Sequence, residues 1–405
     1  MKNNKRLMTV KVMTSAAMLC ISGQASAMKI VGNASDSSDL AGFELEIYGY
    51  ARLNASYDID EDISSGARAG NFSLINTGSA EDNEITGIFG ADAYQTRIGI
   101  LSTHSSGLKI KVEADFETNG NGLRLRHAYG EYMGILAGQN WSNFTSFVGY
   151  TPVLDFDALP GSPGAQFRTP QVRYTMGPLA LSIEEPLSYN GLIESNGPPD
   201  PVDGTRSVGD NEDEKDSLPV FAARFEDTAG SVSYSAAAMV RKVDYDNGTT
   251  DDSAVGYGAF GAVSLALTDT VTLHGAINYV KGGGVYLYRS GENYAAVDGY
   301  VTENGDLELI GGYGGTLGVS VDVGPGSVNV GYGFTEVDWD DGEKDLGADA
   351  VADRHENNSS ILANYQWSPI NQVVFGIEYG YFKVEEVGGD EGDANRLLFA
   401  AQYNF

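Results

Sequence analysis

From residue 43 onward, apolar and polar positions alternate with a period of two. Phe43, Leu45, Ile47, Gly49, Ala51, Leu53, Ala55 and Tyr57 share one parity, and Glu44, Glu46, Tyr48, Tyr50, Arg52, Asn54 and Ser56 the other. Successive side chains of a β-strand point to opposite faces, so the run predicts a strand with one apolar and one wetted face. Leu108, Ile110, Val112, Ala114 and Phe116 against Lys109, Lys111, Glu113, Asp115 and Glu117 repeat the pattern. Sixteen such segments are expected, over 43–57, 92–104, 108–117, 122–133, 135–141, 166–175, 178–186, 218–227, 231–243, 254–267, 271–281, 307–323, 327–337, 359–367, 373–384 and 395–405.

The connections alternate in length. Ser105-Ser106-Gly107, Gly177, Thr228-Ala229-Gly230, Thr268-Asp269-Thr270, Gly324-Pro325-Gly326 and Ser368-Pro369-Ile370 are tight, whereas 58–91, 142–165, 187–217, 282–306 and 338–358 are long and mostly polar. Short turns at one end, long loops at the other and an even strand count describe an outer-membrane barrel. No apolar run after the first 27 residues is long enough to span lipid as a helix, which takes roughly 20 residues. Only helices or closed barrels pair every backbone group inside lipid. The fold expected is an all-β, transmembrane antiparallel β-barrel of 16 strands over 43–405, preceded by a short periplasmic segment, 28–42.

The two ends of the chain agree with this. Lys2, Lys5, Arg6 and Lys11 precede an apolar stretch, Val12 to Ile21, and Ala25-Ser26-Ala27 supplies small residues, so 1–27 reads as a signal peptide. Cys20 raises the lipoprotein alternative, but Leu19 stands before it where a small residue belongs. At the other end Leu397, Phe399, Ala401, Tyr403 and Phe405 alternate outward to a terminal aromatic, a pattern resembling the assembly signal of barrel proteins. The expected location is the outer membrane of a Gram-negative bacterium, with the barrel-assembly machinery as a partner and lipid and lipopolysaccharide around the wall.

Composition changes the picture in three ways. Glycine at 52 and tyrosine at 23 are both abundant, which suits a barrel better than a soluble enzyme. Removing the four bases of the signal leaves 21 bases against 56 acids, a net charge of −35, which excludes nucleic acid as a partner. The single cysteine, Cys20, is lost with the signal, so disulfides play no part in an oxidising compartment.

Against this acidic background the first six strands concentrate bases on their polar face. By parity Arg52, Arg97, Lys109, Lys111, Arg124, Arg126 and Arg173 point into the lumen. On the lipid face near mid-membrane each would cost roughly 2–4 kcal/mol. Arg52, Arg97 and Arg126 fall near the middle of neighbouring strands and should form a row that attracts anions, since guanidinium forks bind carboxylates bidentately. Alternatively these bases only balance lumenal acids such as Glu113, Asp115 and Glu117. Phe144, Phe147, Tyr150, Phe156 and Leu159 do not suit a solvated loop, so 142–165 is expected to fold inward as a constriction. Asp155 and Asp157 then face the basic row across the eyelet, which orients solutes and sets selectivity. An aromatic patch at the rim, or a subunit contact, is the alternative.

The acidic runs Asp58 to Asp62, Asp210 to Asp216 and Asp338 to Glu343 fall in proposed outer loops and read as solvated. Asp338, Asp340 and Asp341 before Gly342 resemble the start of a calcium loop but lack its helices, so no metal is expected. His104, His127, His274 and His355 have no nucleophile or acid at telling spacing, so neither enzyme chemistry nor a cofactor is expected. Gly256 to Gly261 matches G-x-G-x-x-G inside a strand pattern with no helix after it, a glycine-rich strand and not a nucleotide loop.

Leu123-Arg-Leu-Arg-His-Ala-Tyr-Gly-Glu131, Leu136-Ala-Gly-Gln-Asn-Trp-Ser142, Asp157-Ala-Leu-Pro-Gly161 and Thr169-Pro-Gln-Val-Arg-Tyr174 resemble the DcaP-type porins. The close match spans about 43–60 and 92–176. The resemblance implies a homotrimer of sixteen-stranded channels for dicarboxylates and other small anions, with Arg124, Arg126 and Arg173 lining the lumen and 142–165 as constriction. Members often carry a long periplasmic helix, for which 28–42 is too short. The expected function is passive diffusion of small hydrophilic solutes, small anions such as dicarboxylates foremost, through a lumen with a basic wall; a general or cation-preferring porin, or a structural or adhesive barrel without channel activity, are the rivals.

Overall fold

The structure is a computed structural model and describes residues 28–31, 42–83, 85–117, 122–195, 208–211 and 214–405, so the signal segment 1–27 lies outside it. The alternating segments form sixteen antiparallel strands. These are β1 (Phe43–Asp58), β2 (Arg97–His104), β3 (Lys109–Asp115) and β4 (Arg124–Tyr132). They continue as β5 (Ile135–Trp141), β6 (Arg168–Met176), β7 (Leu179–Glu184) and β8 (Val220–Ala229). Next come β9 (Val232–Asp246), β10 (Asp251–Ala266), β11 (Val271–Lys281) and β12 (Gly311–Val323). The last are β13 (Gly326–Asp338), β14 (His355–Ile370), β15 (Val373–Glu386) and β16 (Glu391–Asn404).

Each strand pairs with its sequence neighbour, and β16 returns to β1 with Tyr50 opposite Asn404 and Asp58 opposite Arg396. The ring is therefore closed and has no free edge. Below the C-terminus, where β16 has ended, Met28–Val31 pairs with the lower half of β1 as a short additional strand; residues 32–41 lie outside the described residues.

The wall is inverted relative to a soluble protein. Leu53, Ile98, Ile100, Val112, Leu125 and Val172 are exposed on the outside, while Arg52, Asn54, Glu113 and Arg126 are buried within. Aromatic side chains cluster in two belts on this outer surface. Tyr257, Tyr279, Tyr313 and Tyr332 lie towards the long-loop end, and Phe225, Tyr234, Tyr365, Trp367, Phe375, Tyr403 and Phe405 towards the tight-turn end. Paired aromatic girdles mark the two interfaces of a membrane barrel. Among the described residues no helix is long and apolar enough to cross a membrane.

Four expectations need correction. The segment 92–104 is interrupted: Ile88–Asp92 pairs with the top of β1, and a turn over 93–96, closed by Thr96 N–H to Ala93 C=O, precedes β2. Leu307–Leu309 does not begin β12 but joins Leu192–Ser195, Val208–Asn211 and Gly299–Val301 in a separate four-stranded sheet over the mouth. The loops 58–91 and 282–306, expected as long and mostly polar, also send apolar side chains inward: Ile63, Phe72, Val285 and Tyr286 are buried in cores inside the barrel mouth, while Leu74, Ile85 and Phe89 stay exposed. The first acidic run is likewise engaged, with Asp58 paired to Arg396 at 3.0 Å and Glu61 accepting from Asn76. Asp340–Leu346 is a helix bearing its acids in the first turn; among the described residues no cluster fit for a metal ion appears, and 212–213 of the second acidic run lie outside them.

Candidate pore and constriction loop

The chain turns inward after Trp141. Glu184 on β7 accepts from Ser142 Oγ at 2.6 Å and from the Asn143 backbone N–H at 2.7 Å, which anchors the departing loop. Residues 142–167 then cross the lumen to the far wall. Phe144, fully buried, packs edge-on against Phe260 at 5.1 Å and Tyr286 at 6.0 Å. Glu378 on β15 receives the backbone N–H groups of Leu154 and Asp155, both at 2.8 Å. Asn278 holds Gly164 N–H and donates to Gly161 C=O, and Asn364 donates to Pro152 C=O. An inward loop buries backbone polar groups, and these inner-wall side chains satisfy them.

Glycine makes room for it. A Cβ at Gly331 would lie 2.7 Å from Leu159, and one at Gly376 2.7 Å from Leu154. Gly258, from the G-x-G-x-x-G segment, lies beneath Phe144. The glycine-rich strands therefore form the seat of the loop, where a side chain would collide with it.

On the opposite side, β2 to β4 carry the bases. Glu113 accepts from Arg126 Nε at 3.2 Å, faces Arg97 at 3.4 Å and Lys111 at 3.2 Å, and accepts the Tyr48 hydroxyl at 2.8 Å. Asp115 takes a bidentate fork from Arg124 at 3.0 and 2.9 Å and a third bond from Arg126 at 2.7 Å. Arg124 also pairs with Glu117. Much of the basic row is thus tied to the lumenal acids named as its counterweight.

Between wall and loop lies a cavity of about 560 Å³. Its charged lining is Arg97, Arg124, Arg126 and Arg168 against Glu117 and Asp157. Phe147, Tyr150, Phe156, Tyr288 and Tyr294 form much of the facing side. Asp157 accepts from the Tyr294 hydroxyl at 3.1 Å, and burial pushes its carboxyl up to about 7.

Other predicted residues lie elsewhere. Arg52 points inward but is covered, donating to Asn54, Gln402 and the Leu154 carbonyl. Asp155 is buried beneath the loop, accepting Gly70 N–H at 2.8 Å and facing Arg289 and Arg396, each at 3.9 Å, rather than the basic row. Phe147 stacks edge-on with Trp141 at 5.2 Å at the cavity margin. Lys109 pairs with Glu131 at 3.6 Å, and Arg173 stands on the lumen face of β6 opposite Leu136, outside the cavity lining. Phe399, Tyr403 and Phe405 are exposed on the outer wall.

Three residues escaped the sequence reading. His127 is buried inward beside Arg126 because a bulge opposite Glu113 and Ala114 re-phases β4, so strict parity fails there. Arg168 lines the cavity although parity with Arg173 would turn it outward. Arg289, fully buried, lies 4.5 Å over Phe72 and donates to Ala158 C=O and Gly70 C=O, joining three loops. A lone arginine amid Tyr286, Leu287 and Tyr288 was the available signal.

The outer-membrane channel DcaP of Acinetobacter baumannii is similar in structure, with a TM-score of 0.70 and 27% sequence identity over 90% of this chain and 98% of that one. The anion-selective porin from Comamonas acidovorans has a TM-score of 0.52 at 13% identity, covering 90% of this chain and 100% of that one, which shows the fold alone. OmpT of Vibrio cholerae lacking loop L8 behaves likewise, at 0.53 and 11% with the same coverages. No protein-family model and no curated protein matches the chain.

Proposed function

We propose that this chain is a DcaP-type porin of the outer membrane and passes small hydrophilic anions, dicarboxylates among them, by passive diffusion between the arginine wall and the constriction loop. The observation carrying this reading is the cavity's charge: four arginines meet two carboxylates, one of which burial drives towards its neutral form. Fixed cations in a partly dehydrated constriction favour anions over cations at short range.

Purified protein in a planar bilayer under a potassium chloride gradient tests it. A reversal potential on the chloride side is expected; potassium preference or silent bilayers overturns it. Such an experiment also meets the main rival, a cation-preferring porin, which the formal net charge of −31 and the acidic outer loops favour. We further propose that the channel assembles as a homotrimer through its walls, that lipid and lipopolysaccharide surround it, and that Phe399, Tyr403 and Phe405 present the C-terminal strand to the assembly machinery. Light scattering in detergent should give three copies per particle.

A further inference from the structure

The arginines of the passage are not equivalent. Arg97, Arg126 and Lys111 share Glu113, and Arg124 and Arg126 share Asp115. A guanidinium whose N–H groups already serve a carboxylate offers little to a second one. Arg168 differs: among the described residues no carboxylate pairs with it. Foremost among the charges around it are three of its own sign, Arg126, Arg124 and Arg97. Its guanidinium lies 4.6 Å over the ring of Trp141, its register partner on β5, and Arg126 lies 5.9 Å from the same ring. Stacking occupies the face of the guanidinium and leaves its N–H edge for a ligand. Arg168 is half-buried and lines the cavity, so that edge is within reach of a solute.

We infer that Arg168 is the specificity-determining residue of the channel, the one whose free N–H fork takes a carboxylate in transit, with Trp141 as the positioning residue beneath it. This rests on the anion-passing reading above. The fork matches a carboxylate bidentately and a halide only as a point charge, so Arg168 should separate carboxylates from chloride and not merely anions from cations.

Succinate added to a chloride-conducting bilayer is the probe. In the unmodified channel succinate should reduce chloride current with a saturable dependence on concentration. Arg168→Gln should weaken the apparent succinate affinity roughly tenfold, about 1.4 kcal/mol. Arg168→Lys should keep chloride preference over potassium while losing most of the succinate saturation, a split that a merely structural role does not produce. Should Arg168→Gln fail to assemble, Arg168→Lys alone decides. Unchanged succinate affinity in the lysine variant overturns the inference while leaving an anion-selective channel standing. A potassium-selective unmodified channel overturns the underlying reading instead.

Discussion

Asp157 stands at the meeting of loop and passage, 5% exposed, its charge opposed by desolvation and only partly favoured by Arg289 and the Tyr294 hydroxyl. With its carboxyl raised to about 7, the protonated form predominates below that pH and the ionised form above it. Ionisation adds a negative charge to the cavity, so the sign follows directly. Preference for chloride over potassium should rise as pH falls from about 8 to about 6, where the change around a pKa near 7 is concentrated. Asp157→Asn should hold the low-pH selectivity throughout that range. Reversal potentials measured across the pH series check both outcomes, and a flat profile in the unmodified channel removes Asp157 from the account. Asp155, two residues earlier, is not expected to contribute, because its carboxylate is enclosed by Gly70, Arg289 and Arg396 away from the passage.

Elements set where these side chains end up, and the loop 142–167 depends on its seat as much as on its own sequence. Gly331 on β13 lies against Leu159, leaving no space for a branched side chain. Gly331→Val should displace the loop, costing about 1–3 kcal/mol of overpacking, while the barrel ladder remains. Single-channel conductance should increase and the heat-modifiable gel mobility of a folded barrel should persist; unchanged conductance would show that the loop does not limit the passage. Period-two alternation made the strands legible, because lipid and lumen impose opposite demands on adjacent residues. Aromatic content made the inward loop legible for the same reason. What alternation could not carry were its interruptions. The bulge at Arg126 and His127 shifts parity by one residue, and the turn at Asp92–Thr96 restarts it. Nor does local pattern say which base meets which acid: Glu113 gathers cations from three neighbouring strands across the sheet, and Arg289 is buried because two distant loops converge on its own.

At the scale of the whole molecule two fields of opposite sign act on an approaching anion. Acids outnumber bases 56 to 25, and runs such as Asp338 to Glu343 place many of them at the loop end, so the vestibule repels anions. The cavity, with four arginines against two carboxylates, attracts them at short range. Ionic strength separates the two, because the screening length is about 30 Å at 0.01 M and about 10 Å at 0.1 M. At the lower salt the acidic mouth reaches across the whole approach to the constriction; at the higher it is confined near its own residues, whereas the arginines act within a few ångströms of the solute. Anion preference should therefore be stronger at 0.1 M than at 0.01 M, the reverse of the trend for a channel governed by a single positive field. Reversal potentials at a fixed activity ratio and two mean concentrations give the comparison. A preference that is greatest at 0.01 M would mean that the cavity's field already dominates at the mouth, and that the acidic loops serve the surface of the cell rather than the selection of solutes.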